Sequence, residues 1–314
     1  MVDKRCTLAE AVSLVHDGAS VTFSGFGHSL QPLAFCRELV RQGRRRLHLL
    51  TMGECWAADL LCGAGCVATV HLSCLLFEGY GRCQNFSRAV EEGTVAVEDY
   101  SHFAITSRFL AGALGVPFLP IRSLLGSDIL THWTLEPRKH VLMDSPFSGE
   151  RVVLVPALQP DVAVIHASRA DAEGNVQLVG PRSIIDEQAR AARTVIATVE
   201  EVVDPAEIRR HPELTVVPGF LVEAVVEVPF GAHPTGMYRY YDYDEAHIAE
   251  YYAASRDPAR FRAYLERYVY DLPDHWAYLD AIGLARLLAL RADPHWGYVD
   301  PELRRAKEPE QGGS

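Results

Sequence analysis

The run Ser24-Gly25-Phe26-Gly27-His28 carries the first chemistry legible in this 314-residue chain. It follows the β-rich Val21-Thr-Phe23 and precedes a helical pattern from Pro32, where Leu33, Phe35, Cys36, Leu39 and Val40 form one buried face. Strand, glycine turn and helix open an α/β sheet, whose ligands sit outside the carboxyl ends of the strands. Gly25 and Gly27 allow backbone N–H groups to approach an anionic oxygen. A dinucleotide fingerprint needs a third glycine where Leu30 stands, so the loop reads as an acyl or carboxylate site. An ordinary tight turn is the other reading. His28 is a candidate donor to an acyl carbonyl, or a structural histidine. The Cys62-Gly-Ala-Gly-Cys66 pair, with Cys55, Cys74 and Cys83 nearby, lacks knuckle spacing and a second paired set. No metal is therefore expected, and the seven cysteines read as thiols of a reducing, cytoplasmic compartment.

The elements that must hold these residues alternate. A helix over 7–17 starts at Thr7 with Glu10 in capping-box spacing. Strands are expected at 20–23, 47–52, 67–73 and 95–98, with helices at 32–42, 55–62, 85–92 and 101–114 between and after them. Residues 78–82 and 118–128 read as loops, the second because of Pro120 and Gly126. Turn chemistry at 144–149 precedes a strand-rich half with runs at 151–155, 161–166, 176–178, 194–199, 214–217 and 222–228, and a helix at 183–192. The fold class is α/β: an open, mostly parallel sheet flanked by helices, with a helical C-terminal extension. One α/β domain spans 1–230, with two lobes as a possible division near 144–150. A tyrosine-rich loop and helices, near 244–255, 258–269 and 278–290, occupy 231–300, and a flexible tail 301–314. Tyrosine-rich segments of this kind either clamp a partner or wrap their own chain.

A net charge of −11 and pI near 5.6 argue against a nucleic-acid surface, and Arg44-Arg45-Arg46 reads as a solvated turn. No apolar stretch reaches membrane-spanning length, and Met1–Cys6 is not followed by the apolar core of a signal peptide.

Several runs in order carry a resemblance: Ser24-Gly-Phe-Gly27, Glu78-Gly-Tyr-Gly81 with Asn85-Phe86, Ala111-Gly-Ala-Leu-Gly-Val-Pro-Phe118, and Leu119-Pro-Ile-Arg-Ser123. Leu125-Gly-Ser-Asp128, Phe147-Ser-Gly-Glu150, Val155-Pro-Ala-Leu158, His166 with Arg169-Ala-Asp171 and Gly174-Asn175, and Gly231-Ala-His-Pro-Thr235 complete it. Over about 7–290 the chain resembles the α (A) subunits of the family I coenzyme A transferases, in the layout seen in glutaconate CoA-transferase.

The resemblance implies ping-pong transfer of CoA between an acyl-CoA and a carboxylic acid through a glutamyl-CoA thioester. It places the nucleophilic glutamate on a β subunit, in a heterotetramer or larger assembly, with CoA as a substrate and no permanently bound cofactor. Within this chain it leaves Glu54 and Glu98 as carboxylates to weigh. Glu54 lies just past the second strand, near the position the nucleophile holds in the β chain, and helix capping is its alternative role. Glu98 ends the fourth strand, near where ring-opening hydrolases of the same family keep a glutamate on their α chain; here that position falls nearer Ser101. The α chain of such a hydrolase and a non-catalytic acyl-CoA-binding module are the competing readings. The expected binding residues are Ser24, Gly25, Gly27 and His28 past the first strand, Ser73 past the third, Arg82 as a partner for a substrate carboxylate, and Gly126 with Ser127 as an anion-binding turn.

Overall fold

The computed structural model describes residues 2–132, 134–135 and 138–299; the expected tail 301–314 lies outside them. Helix α1 (Leu8–Ser13) opens the fold, with both halves of the Thr7–Glu10 capping box formed. Then come β1 (Ser20–Phe23), α2 (Leu33–Arg41), β2 (Leu47–Leu50), α3 (Cys55–Gly63) and β3 (Val67–Leu72). A small hairpin, β4 (Leu76–Phe77) and β5 (Gly81–Arg82), follows where a plain loop was expected. Next are α4 (Gln84–Glu91), β6 (Ala96–Asp99) and α5 (His102–Leu114), which Ser101 caps and Gly115 ends in the left-handed conformation.

The segment expected to loop at 118–128 begins as a strand, β7 (Phe118–Ile121), in an antiparallel sheet of order β7-β9-β8. Its other members are β8 (Val141–Asp144) and β9 (Arg151–Pro156). Pro120 is tolerated because β7 is an edge strand, where a missing N–H donor leaves no ladder bond broken on the outer side. Residues 145–150 are the turn of the β8–β9 hairpin.

The chain then returns to the main sheet through β10 (Val162–Ala170), β11 (Val176–Gln177), α6 (Ile185–Ala191), β12 (Thr194–Val202), α7 (Pro205–Arg210), β13 (Thr215–Val217) and β14 (Val222–Glu227). Strands β14, β12, β10, β1, β2, β3 and β6 lie side by side, every neighbouring pair parallel. Antiparallel β11 and β13 complete a nine-stranded sheet among the described residues. Both halves of the sequence thus share one sheet.

Strand β10 is nearly all buried, as a central parallel strand covered on both faces must be. Its alternate side chains feed different cores: Val162 and Val164 meet α1–α4, whereas Ala163, Ile165 and Ala167 meet α6. A third cluster joins Ala104, Ile105 and Phe109 of α5 to Ile121, Val153 and Val155.

The C-terminal extension is part of the first core. Helices α8 (Glu245–Ser255), α9 (Pro258–Leu265), α10 (His275–Ile282) and α11 (Leu284–Leu290) contribute Ile248, Tyr251, Tyr264, Leu279 and Leu287 to it. A single helix over 278–290 was expected; Gly283, at φ +95°, divides it. Tyr241, Tyr251, Tyr264, Tyr268 and Tyr278 are buried within this chain, so these rings wrap their own domain. No described helix is long and apolar enough to cross a membrane.

Candidate active site

The carboxyl ends of β1, β2, β3 and β6 carry Ser24, Gly25, Gly27, His28, Glu54, Ser73 and Glu98 of the residues singled out in the sequence. Past β1 the chain turns back sharply. Gly25 sits at φ +106° and Gly27 at φ +55°. A Cβ on Gly25 would lie 2.5 Å from the Ser29 carbonyl, and one on Gly27 would lie 2.6 Å from the Glu78 carboxylate. The two glycines therefore admit a fold-back of the loop and its close packing on the β4–β5 hairpin.

Ser24 faces inward. It is fully buried, donates to the Leu30 carbonyl at 2.8 Å and accepts from the His166 amide at 2.8 Å, tying the loop to β10. The C-terminal strap secures the other side, with Leu30 N–H bonded to Gly236 O and Gly236 N–H to His28 O. The strap is anchored in turn by Glu200, which accepts from Phe230 N–H, Tyr241 Oη and the His166 ring. The crevice between β1 and β10, where the strand order reverses, is thus filled by the chain's own residues 230–237.

His28 has both ring nitrogens engaged. Nδ1 accepts from the Trp56 indole at 2.9 Å, which leaves Nε2–H to donate to the Glu78 carbonyl at 2.8 Å. Its ring lies against Trp56, Tyr80 and Tyr243 at centroid distances of 5.6, 6.1 and 5.5 Å. His28 organises the aromatic wall where it stands.

Gln31, which sequence reasoning missed, holds two loops together. Its Nε2 donates to Gly27 O at 2.6 Å, and its Oε1 accepts from the amides of Trp56 and Ala57 at 3.0 Å each. The N-cap residue of α3 makes no side-chain cap, so a glutamine from another loop serves. A cap of this kind contributes about 1 kcal/mol.

Glu54 is that N-cap residue, and it is only 1% exposed. One carboxylate oxygen takes the amides of Met52 at 2.8 Å and Gly53 at 3.0 Å together with the Thr51 hydroxyl. The other takes the side-chain amide of Gln188 at 3.0 Å. Burial pushes the carboxyl above its ordinary value, against the pull of these donors.

Glu98 is as deeply buried but lies opposite a cation. Lys139 Nζ stands 2.9 Å from Oε1, while the amides of Thr134 and Leu135 meet Oε2 at 2.8 Å. Burial raises this carboxyl, but the amides and the ammonium prevail and hold it below the usual range. Lys139 also donates to His132 O, so the pair ties His132, Thr134 and Leu135 to the end of β6.

The remaining expected residues are spread out. Arg82 is 79% exposed on β5, with Glu91 4.0 Å away. Gly126 sits in a turn at φ +77°, where Ser127 donates its hydroxyl to Leu124 O. Ser73 donates to Met52 O at 2.5 Å and lies 2.8 Å from Nδ1 of His102.

His102, the first residue of α5, is exposed beside Phe26, 5.9 Å between ring centroids, and Glu78 and Asp99 are exposed at the same end of the sheet. Sequence reading passed over His102 because its partner is 29 residues away. Among the described residues no group of three or more His, Cys, Asp or Glu could hold a metal. The arrangement is a floor and wall: two glutamates withdrawn below it, and aromatic and imidazole rings facing outward.

Known proteins share this fold. The coenzyme A transferase family matches residues 5–228. An uncharacterized protein of Archaeoglobus fulgidus is 40% identical over 92% of this chain, which spans 64% of that protein's length. The α (A) chain of glutaconate CoA-transferase from Acidaminococcus fermentans is 36% identical over 95% of this chain and 97% of its own. The crystal structure of glutaconate coenzyme A-transferase from that organism superposes with a TM-score of 0.91, covering 96% of this chain and 99% of that one at 35% identity. The α (A) chain of 3-oxoadipate CoA-transferase from Pseudomonas knackmussii is 37% identical over 84% of this chain and 92% of its own. On its sequence match and its mostly parallel sheet flanked by helices, the chain belongs to the coenzyme A transferase family.

Proposed function

We propose that this chain is the α subunit of a heteromeric CoA-transferase, moving CoA between an acyl-CoA and a carboxylic acid through a glutamyl-CoA thioester carried by a β subunit. The observation that carries this reading is the state of Glu54. A nucleophilic carboxylate needs a lone pair facing the thioester carbonyl. Glu54 has its oxygens turned into Thr51, Met52, Gly53 and Gln188 and is 1% exposed. Glu98 is held in the same way by Lys139 and two amides. With both strand-end glutamates committed to structure, the nucleophile comes from the partner and this chain supplies the wall.

CoA enters as a substrate, in the cytoplasm, with no resident cofactor. Glutaconate and 3-oxoadipate, in the names of the relatives, are dicarboxylates, so the substrate class we infer is a dicarboxylic acid and its monothioester. Purified chain, purified β chain and their mixture are each given acetyl-CoA and glutarate, and glutaryl-CoA is followed by chromatography. Only the mixture is expected to turn over. Robust transfer by this chain alone would overturn the reading. A β partner that lacks the nucleophilic glutamate would favour the ring-opening hydrolase, and binding of acyl-CoA without turnover the non-catalytic module.

A further inference from the structure

Ser73 and His102 form a pair at the strand ends that neither caps an element nor fills a core. Ser73 Oγ stands 2.5 Å from Met52 O and must donate its one proton there. It then accepts from His102 Nδ1 at 2.8 Å, so Nδ1 carries hydrogen. The tautomer follows: the lone pair lies on Nε2, and no described residue bonds it. The ring is exposed, stands over the ends of β3 and β6, and is flanked by Phe26. Met52 and Gly53 beneath it are the residues whose amides hold Glu54. The pair therefore rests on the floor of the strand ends, on a backbone fixed from below.

A fixed acceptor beside an apolar ring fits an amide N–H on a flexible apolar arm. The thiol end of CoA is such an arm, with an amide two carbons from the sulfur. We propose that His102 Nε2 accepts a hydrogen bond from this amide of the acyl-CoA, with Ser73 as the residue that positions the ring. The inference rests on the transferase reading for its ligand.

The test removes one atom on each side. Two thioesters of the same acyl group are compared as donors to the α–β complex: the N-acetylcysteamine thioester, and its ester analogue in which the amide N–H is replaced by oxygen. In the unaltered complex the amide donor should be better in kcat/KM by about five- to tenfold, the size of one hydrogen bond. His102→Gln places an acceptor at the Nε2 position and should keep most of that preference. His102→Asn reaches only the Nδ1 position, so it keeps the Ser73 bond and should lose the preference to within about twofold. A preference unchanged in His102→Asn, or lost equally in both variants, would overturn the proposal. Saturation-transfer NMR of the two probes reads the same preference as binding, without turnover. If the complex transfers no CoA yet prefers the amide probe through His102, the transferase reading falls and this contact stands. If it transfers CoA with no amide preference, the contact falls alone.

Discussion

Replacing Glu54 by alanine separates a structural carboxylate from a nucleophile. The change strands two donors, the amides of Met52 and Gly53, while the side-chain amide of Gln188 keeps Thr22 Oγ1 and Phe23 O as acceptors. The Thr51 hydroxyl can rotate to a new acceptor. Each stranded donor costs about 1–3 kcal/mol, but the vacated volume admits water that meets some of them, so a total of about 2–4 kcal/mol is expected. With a urea dependence of about 3 kcal/mol per M for a chain of this size, the midpoint should fall by about 1 M.

Activity of the folded α–β complex should fall by about tenfold or less, equivalent to about 1.4 kcal/mol of barrier. A nucleophile would behave oppositely, with a loss above about a thousandfold, because no neighbour replaces a covalent intermediate. Burial raises the Glu54 carboxyl above 4.5, so its protonated form stabilises the fold below pH 4.5 and that contribution is lost as pH rises through the raised value. Glu54→Gln has nothing to titrate there. The stability of the unaltered protein should therefore fall relative to Glu54→Gln as pH rises above 4.5. Thousandfold inactivation with an unchanged urea midpoint would refute the structural assignment.

Two further outcomes follow from the same contacts. Lys139→Met leaves Glu98 buried without its cation and should destabilise by about 3–5 kcal/mol; a melting temperature within about a degree of the unaltered protein would show that the pair is not coupled to folding. Deleting residues 231–299 removes Tyr251, Tyr264, Tyr268 and Leu279 from the main core, so the truncated chain should be insoluble; recovery of a soluble, cooperatively melting core would return the extension to a purely intermolecular role.

What the sequence made legible was local or periodic. The capping box at Thr7, the strand at 20–23 and the glycine stop at 115 depend on neighbours within a few residues, and each was found where expected. Strand β7 was not legible, because Pro120 breaks a strand pattern unless the strand is known to lie at an edge. The tyrosines of 231–300 mark contact area without naming the surface, and only tertiary packing shows that they face their own core. Site geometry was hidden for the same reason. Gln31 caps a helix 25 residues on, and Gln188 reaches Glu54 across 134 residues. No spacing rule announces either bond.

The covalent mark tests the central claim most directly. The α–β complex is incubated with acyl-CoA and then treated with borohydride, which reduces a glutamyl-CoA thioester to an alcohol. Peptide mapping by mass spectrometry locates the reduced residue. The mark is expected on a glutamate of the β chain, with the peptide containing Gly53-Glu54 and the one containing Glu98 unmodified. A reduced glutamate at either position would contradict the account.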